Sequence, residues 1–127
     1  MKYFFTFFFI FSHTLFAQTS SFPYIENFDT TTVPNLPSGW TTSTAKSVSG
    51  DFTTTTSTVK STPNALISTD SKVAQELISP VLNFSNKVVD SIEFYERRTA
   101  SHNSGIVVEA SLDGGASFPT VISDILQ

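Results

Sequence analysis

From Lys87 to Leu112 the chain alternates apolar and polar side chains, and this period of two constrains the fold more than any other feature. Val88, Ile92 and Phe94 share one side of the first run, while Ser91, Glu93, Tyr95 and Arg97 lean mainly to the other. In the second run Ile106, Val108 and Ala110 face one way, and Val107, Glu109 and Ser111 the other. Successive side chains on a strand point to opposite faces, so such runs mark strands with one side against a core. The pattern predicts strands over 87–98 and 106–112 whose apolar faces build an inner wall. Asp113-Gly114-Gly115 then interrupts the alternation. Asp-Gly and Gly-Gly pairs accept the positive φ angles of tight hairpins, so residues 117–122 are expected to fold back onto 106–112.

The rest of the chain shows no convincing helical period. Its Thr- and Ser-rich composition, with scattered Val, Ile, Phe and Tyr, favours strands. A strand is expected over Phe22 to Phe28, then a loop through Pro34 and Pro37, then a short strand from Trp40 to Thr44. Ala65-Leu66-Ile67 follows a turn at Pro63-Asn64, and Glu76-Leu77-Ile78 runs up to Pro80. Ser47 to Ser61 is polar and holds the threonine run 53–56, which suits an exposed edge strand or a mobile loop. Short strands between turns at this spacing predict an all-β fold, a sandwich or a barrel.

The first seventeen residues read as an export signal. Lys2 gives a short basic start, Tyr3 to Phe11 is apolar except for Thr6, and Ala17 offers a small residue before Gln18. A membrane anchor needs roughly 20 apolar residues, and Ser12, His13 and Thr14 interrupt this stretch. Residues 1–17 are therefore expected to be a cleaved signal peptide. Residues 18–127 then form a secreted or surface-exposed domain with no membrane span.

Composition excludes several functions. There is no cysteine, so a thiolate nucleophile, a Cys-type zinc site and disulfide staples are all absent. The formal net charge is −4, and Arg97-Arg98 is the only basic pair. Binding to nucleic acid or anionic lipid needs clustered Lys and Arg, so neither is expected. His102 is the single histidine after the leader, with no nucleophile elbow or zinc-binding helix beside it. Glu93 and Glu109 fall on outward faces, where charge is simply solvated. No enzymatic activity is expected.

Six fragments follow one another in a recognisable order. They are Phe22-Pro23-Tyr24-Ile25-Glu26-Asn27-Phe28-Asp29, Leu36-Pro37-Ser38-Gly39-Trp40 and Pro63-Asn64-Ala65-Leu66. After them come Gln75-Glu76-Leu77-Ile78-Ser79-Pro80-Val81-Leu82, Ile92-Glu93-Phe94-Tyr95 and Ser111-Leu112-Asp113-Gly114-Gly115-Ala116-Ser117-Phe118. In this the chain resembles the cleaved-adhesin and choice-of-anchor J domains of secreted bacterial proteins, which are related to the MAM-type jelly roll. Phe118 stands where that family usually has Trp. The family's domains also continue for further strands, so residues 18–127 match the N-terminal portion of such a domain. The resemblance implies an incomplete jelly-roll-like antiparallel β-sandwich, non-catalytic and part of a larger secreted or surface protein. It also implies a role in binding an extracellular protein or glycan, with bound calcium. The alternatives are an accessory region of a secreted protease or glycosidase, and a structural spacer without a ligand.

Candidate sites follow from the chemistry. Ca²⁺ takes roughly 6–8 oxygen ligands. Glu26 and Asp29 match the acidic positions of the family's opening motif, and Asn64 adds an amide at a turn. Residues three apart on an ideal strand face opposite ways, so Glu26 and Asp29 can share an ion only where the strand ends or bends. The competing reading is a pair of solvated acids. Tyr95 and Trp40 offer flat rings for a sugar or a protein ligand, although Trp40 beside Gly39 also suits core packing. Turn chemistry accounts for Asp113.

Overall fold

A computed structural model of the chain describes residues 18–44, 51–68, 73–97 and 105–125. Among these residues there are eight short strands and no helix, so the fold is all-β. The expected signal peptide, the basic pair's Arg98, and His102 lie outside the described residues. Among the described residues no helix is long and apolar enough to cross a membrane.

The strands form four two-stranded sheets. β2 (Thr41–Thr44) pairs antiparallel with β5 (Gln75–Ile78), matching Thr41 to Ile78 and Thr44 to Gln75. Pro80 then interrupts the run, because proline has no N–H to give to a ladder. Beyond it β6 (Val81–Leu82) changes partner and runs parallel to β1 (Gln18–Thr19). The Asn83 amide extends this contact by donating to the Thr19 carbonyl at 2.8 Å. β3 (Thr53–Thr55) pairs antiparallel with β4 (Ala65–Ile67).

β7 (Ile106–Ala110) and β8 (Thr120–Ile125) form the antiparallel hairpin. Its register shifts between Val108, opposite Ser123, and Glu109, opposite Val121, which leaves Ile122 as the extra residue of a bulge. From Val107 to Ala110 exposure alternates as expected, but Ile106, expected inward, is 37% exposed and Ser111, expected outward, is half-buried. β8 begins later than its expected start because the connecting loop is closed by side chains rather than by a two-residue turn. The Asp113 carboxylate accepts from the Ala116 amide at 3.0 Å and the Ser117 amide at 2.9 Å, so both lie in the loop. Gly114 and Gly115 have φ of 75° and 93°, the left-handed values expected of them.

Three expectations are corrected. Residues 22–28 form no strand; they run into turns, with Phe28 at φ 64°. Pro23 cannot donate to a ladder. Glu26 and Asn27 then bond to nearby backbone and compete with sheet pairing. The threonine run does supply an edge strand, since 53–55 belong to a two-stranded sheet, but Thr54 within it is only 2% exposed rather than solvated. Its hydroxyl donates to the Asn35 carbonyl at 2.7 Å and its amide to the Pro34 carbonyl at 3.2 Å, pinning β3 to the proline loop.

The third correction concerns the inner wall. Residues 87–97 belong to no sheet, and Val88, Ile92 and Phe94 are 97%, 56% and 46% exposed. Alternation places side chains on faces; it does not supply a neighbouring strand, and none of the described strands pairs with this segment. Among the described residues no strongly apolar side chain is fully buried, and the buried polar ones are Thr54 and Asn64.

Candidate functional site

Residues 26–31 fold into a corner held by their own side chains. The Phe28 amide donates to Glu26 Oε1 at 2.7 Å. Asn27 Nδ2 donates to Asp29 Oδ2 at 2.8 Å, and the Asp29 amide returns a bond to Asn27 Oδ1 at 3.2 Å. The Thr31 amide closes the turn on the Phe28 carbonyl at 3.2 Å. This is the bend that Glu26 and Asp29 need to approach a common point.

Asn64 joins the same corner from the turn before β4. Its Nδ2 donates to the Phe28 carbonyl at 3.0 Å and to the Thr31 carbonyl at 2.8 Å, and the residue is 6% exposed. Glu26, Asp29 and Asn64 are thus brought to one turn. Much of their capacity is already used: Glu26 Oε1 holds an amide, and Asn64 spends its nitrogen on two carbonyls. Asp29 Oδ1 is the exception, buried and without a hydrogen-bond partner. A carboxylate oxygen suits a hard cation in donor type. Among the described residues there is no group of three or more His, Cys, Asp or Glu side chains able to hold a metal.

The two aromatic candidates have separate surroundings. Trp40 is half-buried; its Nε1 donates to the Tyr24 hydroxyl at 3.0 Å, and Phe28 meets it edge-on at 5.8 Å. That satisfied N–H and ring contact make Trp40 a packing residue of the corner. Tyr95 is 82% exposed, with the Lys60 ammonium 4.6 Å from its ring centroid. Trp40 and Tyr95 share no ring contact and do not form one platform. Lys60 is the neighbour that sequence reasoning missed, since no local pattern links positions so far apart in the chain.

Three of the sequence fragments also converge. Gly39, Ile78, Pro80, Gly114 and Gly115 line a cleft of about 170 Å³. Gly39 has φ 83°, and a Cβ there would lie 3.0 Å from Pro80 Cγ, so a larger residue would be strained and would press on Pro80. At the far side of the loop Asp113 accepts four hydrogen bonds: from the Ser111 and Ser117 hydroxyls, both at 2.6 Å, and from the two amides already described. The Ser111 hydroxyl, followed by the Ser117 hydroxyl and the loop amides, holds this carboxyl well below the ordinary carboxylate range.

Glu93, Glu96 and Glu109 are all exposed. No known family model matches the chain, and no curated protein or solved structure is significantly similar to it.

Proposed function

We propose that this chain is a non-catalytic binding module working outside the cell, within a larger secreted or surface protein of the cleaved-adhesin type. Its ligand is an extracellular protein or glycan. The observation that carries this reading is Tyr95, a large ring left 82% exposed with a lysine ammonium held against it. Solvent-exposed rings of this size are enriched where one partner must stack and hydrogen-bond another. The nearby ammonium adds a donor for hydroxyl or carboxylate groups. On the same reading, residues 1–17 direct export and the four small sheets belong to a jelly-roll-like sandwich.

The test is retention of the purified chain on glycan and host-protein arrays. Tyr95→Ala is expected to weaken retention by about tenfold, the scale of losing one well-placed aromatic contact. Retention that is equal in both proteins would remove Tyr95 from the site, and no retention by either would favour a spacer.

Calcium belongs to the same proposal, with Asp29, Glu26 and Asn64 as the residues that would hold it. Its support is the buried, unpartnered Asp29 Oδ1, an acceptor that costs stability until something pairs with it. Added Ca²⁺ is expected to raise the Tm of the wild-type chain and to leave that of Asp29→Ala unchanged. A wild-type melting curve indifferent to Ca²⁺ would end the proposal.

A further inference from the structure

Three short runs of this chain carry the pattern of a glycan acceptor, and the structure separates them by access. Asp29-Thr30-Thr31 and Asp90-Ser91-Ile92 set a hydroxyl residue between an acid and an apolar residue or Thr, as in the O-glycan acceptors of some exported bacterial proteins. Asn83-Phe84-Ser85 has the Asn-x-Ser form of an N-glycan acceptor. A transferase must seat the residues on either side of the acceptor in its own cleft. Runs tied by the fold's hydrogen bonds must first open to do so, at a cost in free energy, whereas untied runs need not.

Two of the three are tied. Asp29 and Thr31 are half-buried; Asp29 bonds to Asn27, the Thr31 amide to the Phe28 carbonyl, and the Thr31 carbonyl to Asn64. Asn83 is also half-buried. Its amide donates to the Thr19 carbonyl at 2.8 Å and its Oδ1 accepts from the Ser85 amide at 2.9 Å. Asp90, Ser91 and Ile92 differ. All three are exposed and belong to no sheet, and none forms a hydrogen bond with another described residue. Ser91 also borders a groove of about 330 Å³ lined by Val89, Ile92, Phe94, Val108 and Ile122, among others. Ile92 and Ile122 are 56% and 53% exposed there. Open apolar surface of this kind is a liability for association, and a bulky, solubilising glycan beside it offsets that liability.

We infer that Ser91 is O-glycosylated during or after export. Its Oγ attacks the anomeric carbon of a sugar held on a phosphate-linked donor. The Oγ–C1 bond forms as the C1–O bond to phosphate breaks; the phosphate leaves with the electron pair, and the hydroxyl proton passes to a base of the transferase. Asp90 presents an exposed carboxylate to a cationic group of that enzyme, a charge-assisted contact. The inference rests on the reading of residues 1–17 as an export signal and does not use Tyr95.

The test is mass spectrometry of the full chain secreted by its own cells. Trypsin, cutting after Lys87 and Arg97, releases residues 88–97, in which Ser91 is the one serine or threonine. This peptide is expected to carry the mass of a sugar. The added mass is expected to vanish in Ser91→Ala and to persist in Ser91→Thr. In Asp90→Asn the modified fraction is expected to fall about tenfold, the scale of one lost hydrogen bond to a charged group. A bare 88–97 peptide in a chain whose leader has been removed would overturn the inference and leave the export reading standing. A secreted chain still carrying residues 1–17 would overturn both. Sugar confined to the peptides that hold Thr30 or Asn83 would sink the inference by showing that access does not select the acceptor. Sugar persisting on 88–97 in Ser91→Ala would sink it by placing the glycan on Tyr95. Failure of array retention with sugar present on Ser91 would remove only the Tyr95 reading.

Discussion

The corner around Phe28 and the wall around Phe94 use their side chains in opposite ways. At the corner, polar groups reach across the chain. Asn64 bonds to carbonyls 33 and 36 positions away, and Thr54 to one 19 positions away. Along the wall, apolar side chains are exposed, and the hydrogen bonds of the adjoining loop at Asp113 span no more than four residues. Distant parts of this cysteine-free chain are therefore tied by buried amides and hydroxyls, and its apolar side chains contribute least where they are most regular. Buried polar groups stabilise only when they are fully paired. The corner should accordingly be sensitive to single atoms and the wall nearly indifferent to them.

The largest effect is expected at Asn64. Asn64→Ala leaves the Thr31 carbonyl without this donor and the Phe28 carbonyl with the Thr31 amide alone, and should cost about 2 kcal/mol, within the range for unsatisfied buried groups. A urea titration measures this as a lower midpoint with little change in slope. A cost under about 0.5 kcal/mol, the scale of an ordinary surface substitution, would show that water replaces the amide and that the corner is not the stronger region.

That clamp was out of reach of the sequence, and the reason is physical. Asn64 before a strand reads as turn chemistry; which carbonyls its amide meets depends on chain closure over more than thirty residues. The burial of Thr54 is hidden for the same reason, because a run of threonines has no polarity contrast to show which one faces inward. Other features were legible because they are local. β4 matched its expected span, and β2, β5 and β7 matched to within two residues at each end, through β-branched runs bounded by Pro, Gly and Asn signals. Gly114 and Gly115 adopt the positive φ that their pair demands. Residues 22–28 misled because their apolar spacing resembles a strand, while Glu26 and Asn27 supply alternative partners to the backbone. For 87–97 the alternation identified the face and said nothing of a partner. At the candidate site, Asp29 and Tyr95 were legible as residue types, whereas the unpaired Oδ1 and the ammonium of Lys60 required coordinates.

A smaller effect is expected at the loop on Asp113, where pH discriminates between local and distant bonding. Its carboxyl is held below the ordinary value of 3.8 by the Ser111 and Ser117 hydroxyls and the loop amides. The unfolded chain therefore binds this proton more readily, and the ionised form supports the folded loop. That support is fully present above the ordinary value and declines as pH falls below it towards the depressed native one. Because the group is exposed, screening keeps the contribution modest. The protection of the Ala116 and Ser117 amides relative to their intrinsic exchange rates should fall on acidification below about pH 3.8 in the wild type and change little in Asp113→Asn, while the Asn64 corner keeps its protection. Simultaneous loss at loop and corner would mean that the two regions are one cooperative unit.

The smallest effect is expected at Ile92, where a core strand would give a large one. Removing a buried isoleucine from a packed core costs about 2–5 kcal/mol through lost transfer and the cavity left behind. Here the side chain is 56% exposed and forms one wall of an open groove, so there is little burial to lose and no cavity to create. Ile92→Ser is expected to shift the urea midpoint by an amount equivalent to less than about 0.5 kcal/mol. A shift of core size would place Ile92 against a partner strand in the chain as purified. The wall would then already be filled, and its contrast with the corner would disappear.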